Sequence, residues 1–173
     1  MPDPRYPIGP FTHHPGSAAD HAAWIDDIAA LPARLREAVA GLDEAQLDTP
    51  YRPGGWTVRQ VVHHLADSHI NSYVRFRLAL TESNPTIKPY EERVWAELPD
   101  ARTADIAVSL TLLDALHARW VQLLRSLHEP DFAKTIHHPE AGTLDLDCLT
   151  AMYAWHSRHH VAHVTELRKR EGW

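Results

Sequence analysis

A single cysteine, Cys148, stands among the 173 residues of this chain. It excludes an intrachain disulfide, a CxxC redox pair and a cysteine-rich zinc knuckle. Glycine is sparse, at seven residues, and phenylalanine sparser, at three, so collagen-like and low-complexity architectures are excluded. No stretch approaches the roughly 18 apolar residues of a membrane-spanning helix, and the proline-rich opening has no apolar core of a secretory signal. Cations are also in deficit: 17 Lys and Arg face 23 Asp and Glu, for a net charge of −6. That balance speaks against binding a phosphate backbone, which needs a basic surface. The HExxH, GxSxG, P-loop and GxGxxG signatures are missing as well. A protein of the reducing cytoplasm that meets neither nucleic acid nor membrane is the resulting expectation.

What the chain has in excess is histidine, fourteen residues. Its length suits one domain able to bury a core unaided. Residues 1–16, with five prolines, read as an extended N-terminal arm, because proline fixes φ and removes donors. Residues 17–173 read as the domain. Within it, four segments repeat apolar residues at three- and four-residue steps: Ser17 to Ala40, Trp56 or Thr57 to Glu82, Thr103 to Leu127 and Leu146 to Arg170. Pro32 falls inside the first, where a kink is expected, and Pro53-Gly54-Gly55 sets the start of the second. The remainder shows no run of β-branched alternation. Four amphipathic helices predict an all-α four-helix bundle. The longest connection, Asn84 to Arg102, is long enough to carry function.

Seven histidines fall on two of these helices: His63, His64 and His69 on the second, and His156, His159, His160 and His163 on the fourth. Side chains four apart lie about 40° apart in azimuth and about 6 Å apart along a helix, so their imidazoles can converge on one ion. The fourth helix offers two such pairs, His156 with His160 and His159 with His163. His156, His160 and His163 lie within the face shared by Leu149, Met152, Tyr153, Val164 and Leu167, with His159 at its edge. So many polar rings on an apolar face need partners. Core packing against backbone or one another competes with metal binding.

On the second helix, His63 and His64 point about 100° apart. His64 shares its stripe with Thr57, Ser68, Asn71 and Arg75, groups suited to a polar cavity, and is the better third ligand. His69 lies on the apolar stripe and reads as a hydrogen-bonded core residue. Asp67, three residues after His64, reads as a surface aspartate before an acceptor for a ligand ring. Three neutral imidazoles suit one divalent ion, zinc or nickel first, and leave a coordination position open, the mark of catalysis. Cys148 reads as a buried structural thiol. Of the six tryptophans, Trp95 in the long loop is the one marked for a pocket role.

The segments YRPGGWTVRQVVHHLADSHINSYVRFRLALTE (51–82), PTIKPYEERVWAEL (85–98), ALHARWVQLL (115–124) and YAWHSRHHVAHVTELRKREGW (153–173), with YPIG at 6–9, carry a resemblance over nearly the whole chain. The sequence resembles the YfiT-type proteins of the DinB superfamily, a group assigned as metal-dependent hydrolases. The resemblance implies a DinB-type four-helix bundle, often a homodimer, with a divalent metal held by three histidines. Carried over by position, those ligands are the second histidine of HHLAD, His64, and the pair His156 and His160 in WHSRHH; His159 and His163 become neighbours. Related enzymes imply two chemistries for a small-molecule substrate. The metal activates a low-molecular-weight thiol for transfer to an electrophile, with Arg75 or a basic group of the 85–98 loop holding carboxylates, or it activates water for hydrolysis. A non-catalytic, stress-associated metal-binding bundle is the third reading.

Overall fold

The boundaries of the long helices are written in side chains that satisfy free backbone groups. In the computed structural model, which describes residues 3–173, Ser17 and Asp20 form a capping box that opens α1 (Ala18–Val39). Asp43 and Gln46 do the same for the short α2 (Glu44–Leu47), and Thr57 and Gln60 for α3 (Val58–Thr81). Each box satisfies two amide groups that a helix start otherwise leaves unpaired. Asp105 caps α6 (Ile106–Arg125), and Asp145 caps α7 (Leu146–Glu171) through the Cys148 amide. Gly172 ends α7 at φ 76°, a left-handed cap that glycine adopts without a Cβ clash.

The helices α1, α3, α6 and α7 form the four-helix bundle expected from periodicity. α1 packs on α7 and α6, while α3 packs on α6 and α7. The core has two parts. One gathers Ile28, Phe76, Trp120, Leu124, Ile136 and Leu149. The other gathers Leu31, Leu35, Val61, Leu65, Leu113 and Val164. α1 continues through Pro32 as one helix, although the ring removes one backbone hydrogen bond.

Two connections differ from the sequence reading. The long loop holds two short helices, α4 (Glu92–Trp95) and α5 (Pro99–Thr103). After a 3-10 turn at Glu129–Ala133, the chain forms a hairpin of β1 (Thr135–His138) and β2 (Gly142–Asp145), so the expectation of no strand is corrected. The strands pair antiparallel, Ile136 opposite Leu144 and His138 opposite Gly142. Ile136, fully buried, anchors the hairpin in the core. His137 also exchanges backbone bonds with the long loop: its amide donates to Pro85 O at 2.9 Å, and the Ile87 amide donates to its carbonyl at 3.0 Å. The hairpin thereby holds the 85–93 segment beside α7.

Residues 6–16 lie along α7 rather than within the bundle. Trp155 Nε1–H donates to Gly9 O at 3.1 Å, and the Gly16 amide donates to Asp147 at 3.1 Å. Asp147 also receives His13 at 2.7 Å and His21 at 2.5 Å, so one carboxylate joins the arm, α1 and α7. Among the described residues, no helix is long and apolar enough to cross a membrane.

Candidate metal centre

α3 and α7 bring His64, His156 and His160 to one place. One nitrogen from each lies within 4.8 Å of the others. His64 Nε2 and His156 Nε2 stand 3.4 Å apart. Nitrogens about 2.0–2.1 Å from a tetrahedral zinc are separated by about 3.3 Å, so this pair already has the spacing of two ligands on one ion. His156 and His160 are one helical turn apart, with ring centroids at 4.4 Å, and His64 stands 4.8 Å from His160 by the same measure. Trp56 covers His64 at 4.5 Å.

Electrostatics suits a cation. Burial pushes His64 down to about 3, and the neighbouring histidines add to the shift. Burial first and then the adjacent imidazoles hold His156 and His160 well below the ordinary histidine range. The rings are therefore neutral at pH 7, the state in which imidazole offers a lone pair to a metal. Donor type, neutrality and spacing together fit one borderline divalent ion.

A second trio shares one member with the first. His159, His160 and His163 are buried and also lie within 4.8 Å in ligand atoms, so the two i,i+4 pairs on α7 belong to one continuous histidine cluster. His163 Nδ1 is 3.2 Å from His160 Nδ1, and its ring stacks on Tyr51 at 3.9 Å. His159 stacks on Trp155 at 4.2 Å, with its Nδ1 buried and unpartnered among the described residues.

The remaining histidines of α3 separate cleanly. His63 leaves the cluster: its Nε2–H donates to Ala104 O at 3.2 Å and its Nδ1 accepts from the Ser109 hydroxyl at 2.7 Å. His69 is fully buried, as its place on the apolar stripe predicts, yet it touches the site. It lies 3.2 Å from His156 Nδ1 and 2.9 Å from His117 Nε2. His117 on α6 escaped the sequence reading. The available signal was its place in the Leu113–His117–Trp120 stripe, a polar ring inside an apolar period.

His156 also lines a cleft of about 420 Å³ with Ser68, Arg75, Tyr90, Arg93 and Tyr153. Burial raises the Tyr90 hydroxyl above its usual value, which keeps it a proton donor. Trp95, the tryptophan marked for a pocket role, is not among the residues lining this cleft but packs on Tyr90 at 4.5 Å. Asp67 makes no hydrogen bond to an imidazole among the described residues; burial, then the charge of Asp100, raises it to about 6. Cys148 is half-buried rather than fully buried, and its thiol is raised by burial.

Comparison with known proteins agrees with this architecture. The DinB superfamily model matches residues 27–164. A Bacillus cereus protein, provisionally named a metal-dependent hydrolase, is 58% identical over 174 residues, covering 100% of both chains. A Bacillus mycoides protein of the same provisional name is 57% identical over 175 residues, again covering 100% of both. Among solved structures, YfiT from Bacillus subtilis, described as a probable metal-dependent hydrolase with an unusual four-helix bundle topology, superposes with a TM-score of 0.96. It shares 50% identity, and 98% of each chain is covered. The four-helix bundle protein TT2238, at 21% identity, TM-score 0.54 and coverage of 88% and 99%, shares the fold alone. With a family model spanning most of the chain and full-length relatives well above half identical, this protein belongs to the DinB superfamily.

Proposed function

We propose that this protein is a metal-dependent hydrolase of small molecules in which His64, His156 and His160 hold one divalent ion, zinc or nickel. The observation that carries the reading is the convergence of three neutral imidazoles from two helices, one of them lining an open cleft. A divalent ion there supplies Lewis acidity and lowers the pKa of water bound to it.

The chain's own residues do the rest. Of the three imidazoles, His156 lines the cleft, and a substrate carbonyl would approach the site from that side. Arg75 and Arg93 stand on the cleft wall and can offer donors to an anionic group, and guanidinium is suited to holding a carboxylate through two hydrogen bonds. Tyr90 and Tyr153 line the same space, and the Tyr153 hydroxyl lies 3.3 Å from that of Ser68. The provisional names of the full-length relatives support hydrolysis. Thiol transfer, the first expectation from the resemblance, draws no support from those names. A homodimer belongs to the proposal, with the exposed Val108 and Leu112 of α6 as apolar surface for it, as does a cytoplasmic location.

The test is turnover of a panel of esters and amides by metal-loaded protein, with and without added low-molecular-weight thiols. Hydrolysis that proceeds without thiol and disappears in His160→Ala is the expected result. Turnover that requires the thiol would replace hydrolysis by transfer. Metal binding without turnover, with or without thiol, would favour the non-catalytic bundle.

A further inference from the structure

Behind the two α7 histidines run hydrogen-bond chains that end on main-chain carbonyls. A carbonyl only accepts, and a neutral imidazole donates from one nitrogen while accepting at the other. The direction of each chain follows from its end.

Pro32 sits in the interior of α1. Having no amide hydrogen, it leaves the carbonyl four residues earlier, that of Ile28, without its helical donor. His117 Nδ1 stands 2.8 Å from the Ile28 carbonyl, and both are buried. This nitrogen therefore carries the proton, and His117 Nε2 is a lone pair. It accepts from His69 Nδ1–H at 2.9 Å. His69 Nε2 then accepts from His156 Nδ1–H at 3.2 Å. The consequence reaches the site: His156 Nε2, the atom 3.4 Å from His64 Nε2, is left as a bare lone pair.

The arm does the same for His160. His163 Nε2 lies 3.3 Å from the Arg5 carbonyl and must donate to it. His163 Nδ1 is then the acceptor for His160 Nδ1–H at 3.2 Å, which frees His160 Nε2. His69, His117, His160 and His163 are buried, and burial disfavours the charged imidazolium.

Resting on the ligand set proposed above, we infer that Pro32, through the Ile28 carbonyl, and the N-terminal arm, through the Arg5 carbonyl, fix the tautomers of His156 and His160. Both rings then present unprotonated Nε2 before any ion arrives. His69, His117 and His163 are positioning residues. Groups that orient a ligand ring from behind typically change metal affinity about 10–100-fold when removed.

Two measurements on the full-length protein test this. The first is the two-bond proton–nitrogen correlation spectrum of the histidines in metal-free protein, assigned by single variants. The expected result is a protonated Nδ1 at His69, His117, His156 and His160 and a protonated Nε2 at His163. A protonated Nε2 at His156 or His160 would overturn the inference. This outcome is separate from the ligand reading, which fails instead if the wild type binds no metal.

The second compares metal affinity and melting temperature of His117→Phe with the double variant His117→Phe/Pro32→Ala. His117→Phe weakens binding about 10–100-fold. Pro32→Ala supplies a backbone amide at that position and returns to Ile28 its helical donor, so the double variant regains melting temperature while affinity stays low. Affinity that recovers together with stability would show that His117 only holds the helices in place, and would refute the relay.

Discussion

His64 and His156 meet through their Nε2 atoms at 3.4 Å, one from α3 and one from α7, across 92 residues of chain. Neither ring reaches that position through local sequence. α3 delivers His64 because Val61, Val62 and Leu65 bury the same helix in the core, and α7 delivers His156 because Leu149, Tyr153 and Val164 do likewise. The apolar packing thus fixes the spacing of two polar nitrogens.

The buried neutral histidines make the metal-free protein acid-sensitive. His117 is held to about 4 by burial, and His69 is pushed well below its ordinary 6.5 by burial and the neighbouring imidazoles. The unfolded chain takes up these protons near pH 6.5 and the folded one only far below it. Stability from these rings is complete above about 6.5 and is lost as pH falls. At about pH 5.5 each such ring costs the fold about 1.4 kcal/mol. Denaturant midpoints in the presence of chelator should therefore fall clearly between about pH 7.5 and about 5.5, and a flat profile would contradict the assigned neutral states.

Asp67 acts in the opposite sense. Its carboxyl is raised to about 6 by burial and the nearby Asp100, so the folded state holds its proton more tightly than the unfolded one. Stability falls as pH rises from about 4 through about 6. Asp67→Asn should raise the melting temperature at about pH 7.5 and make no difference near about pH 4. Its half-exposed position limits the gain to about 1 kcal/mol.

Asp147 fastens the arm. Burial would raise its carboxyl, but hydrogen bonds from His21, His13 and the Gly16 amide outweigh that effect and hold it below the usual aspartate value. Its contribution is present above about pH 4 and lost as pH falls through the depressed value. Asp147→Ala should cost about 1–3 kcal/mol at about pH 7. It should also speed hydrogen exchange at Gly16, whereas α3 amides should exchange as before once corrected for global stability.

Arg75 should matter to substrate and not to metal. If an anionic ester is a substrate, Arg75→Ala should raise its KM about tenfold, the worth of a charged hydrogen bond of roughly 1.5 kcal/mol, with metal content unchanged. An equal loss for an uncharged ester would assign Arg75 to the cleft's shape rather than to charge recognition.

Much of the fold was legible because α1, α3, α6 and α7 each bury a stripe that repeats with helical period, and because the Pro53-Gly54-Gly55 turn stands just before the second of them. The hairpin was not legible. Each strand has four residues, and in β1 only Ile136 is buried, too little for a period of two to show. Within the site, the i,i+4 spacing on α7 restricted the candidates to two pairs, and only the resemblance chose between them. The structure shows why spacing alone was ambiguous: His160 belongs to both trios. His117 and the use of the Ile28 carbonyl stayed hidden because they join α6 to α1 across 89 residues of chain. A proline within a helix announces a missing donor but not the group that replaces it.

The most direct measurement is metal content per chain by plasma mass spectrometry on untagged protein, with wild type beside His64→Ala and His160→Ala. About one equivalent of zinc or nickel in the wild type and almost none in either variant, all three remaining folded, is the predicted result. Metal retained by the variants, or a wild type that stays empty after reconstitution with both ions, would contradict the three-histidine centre on which the functional account depends.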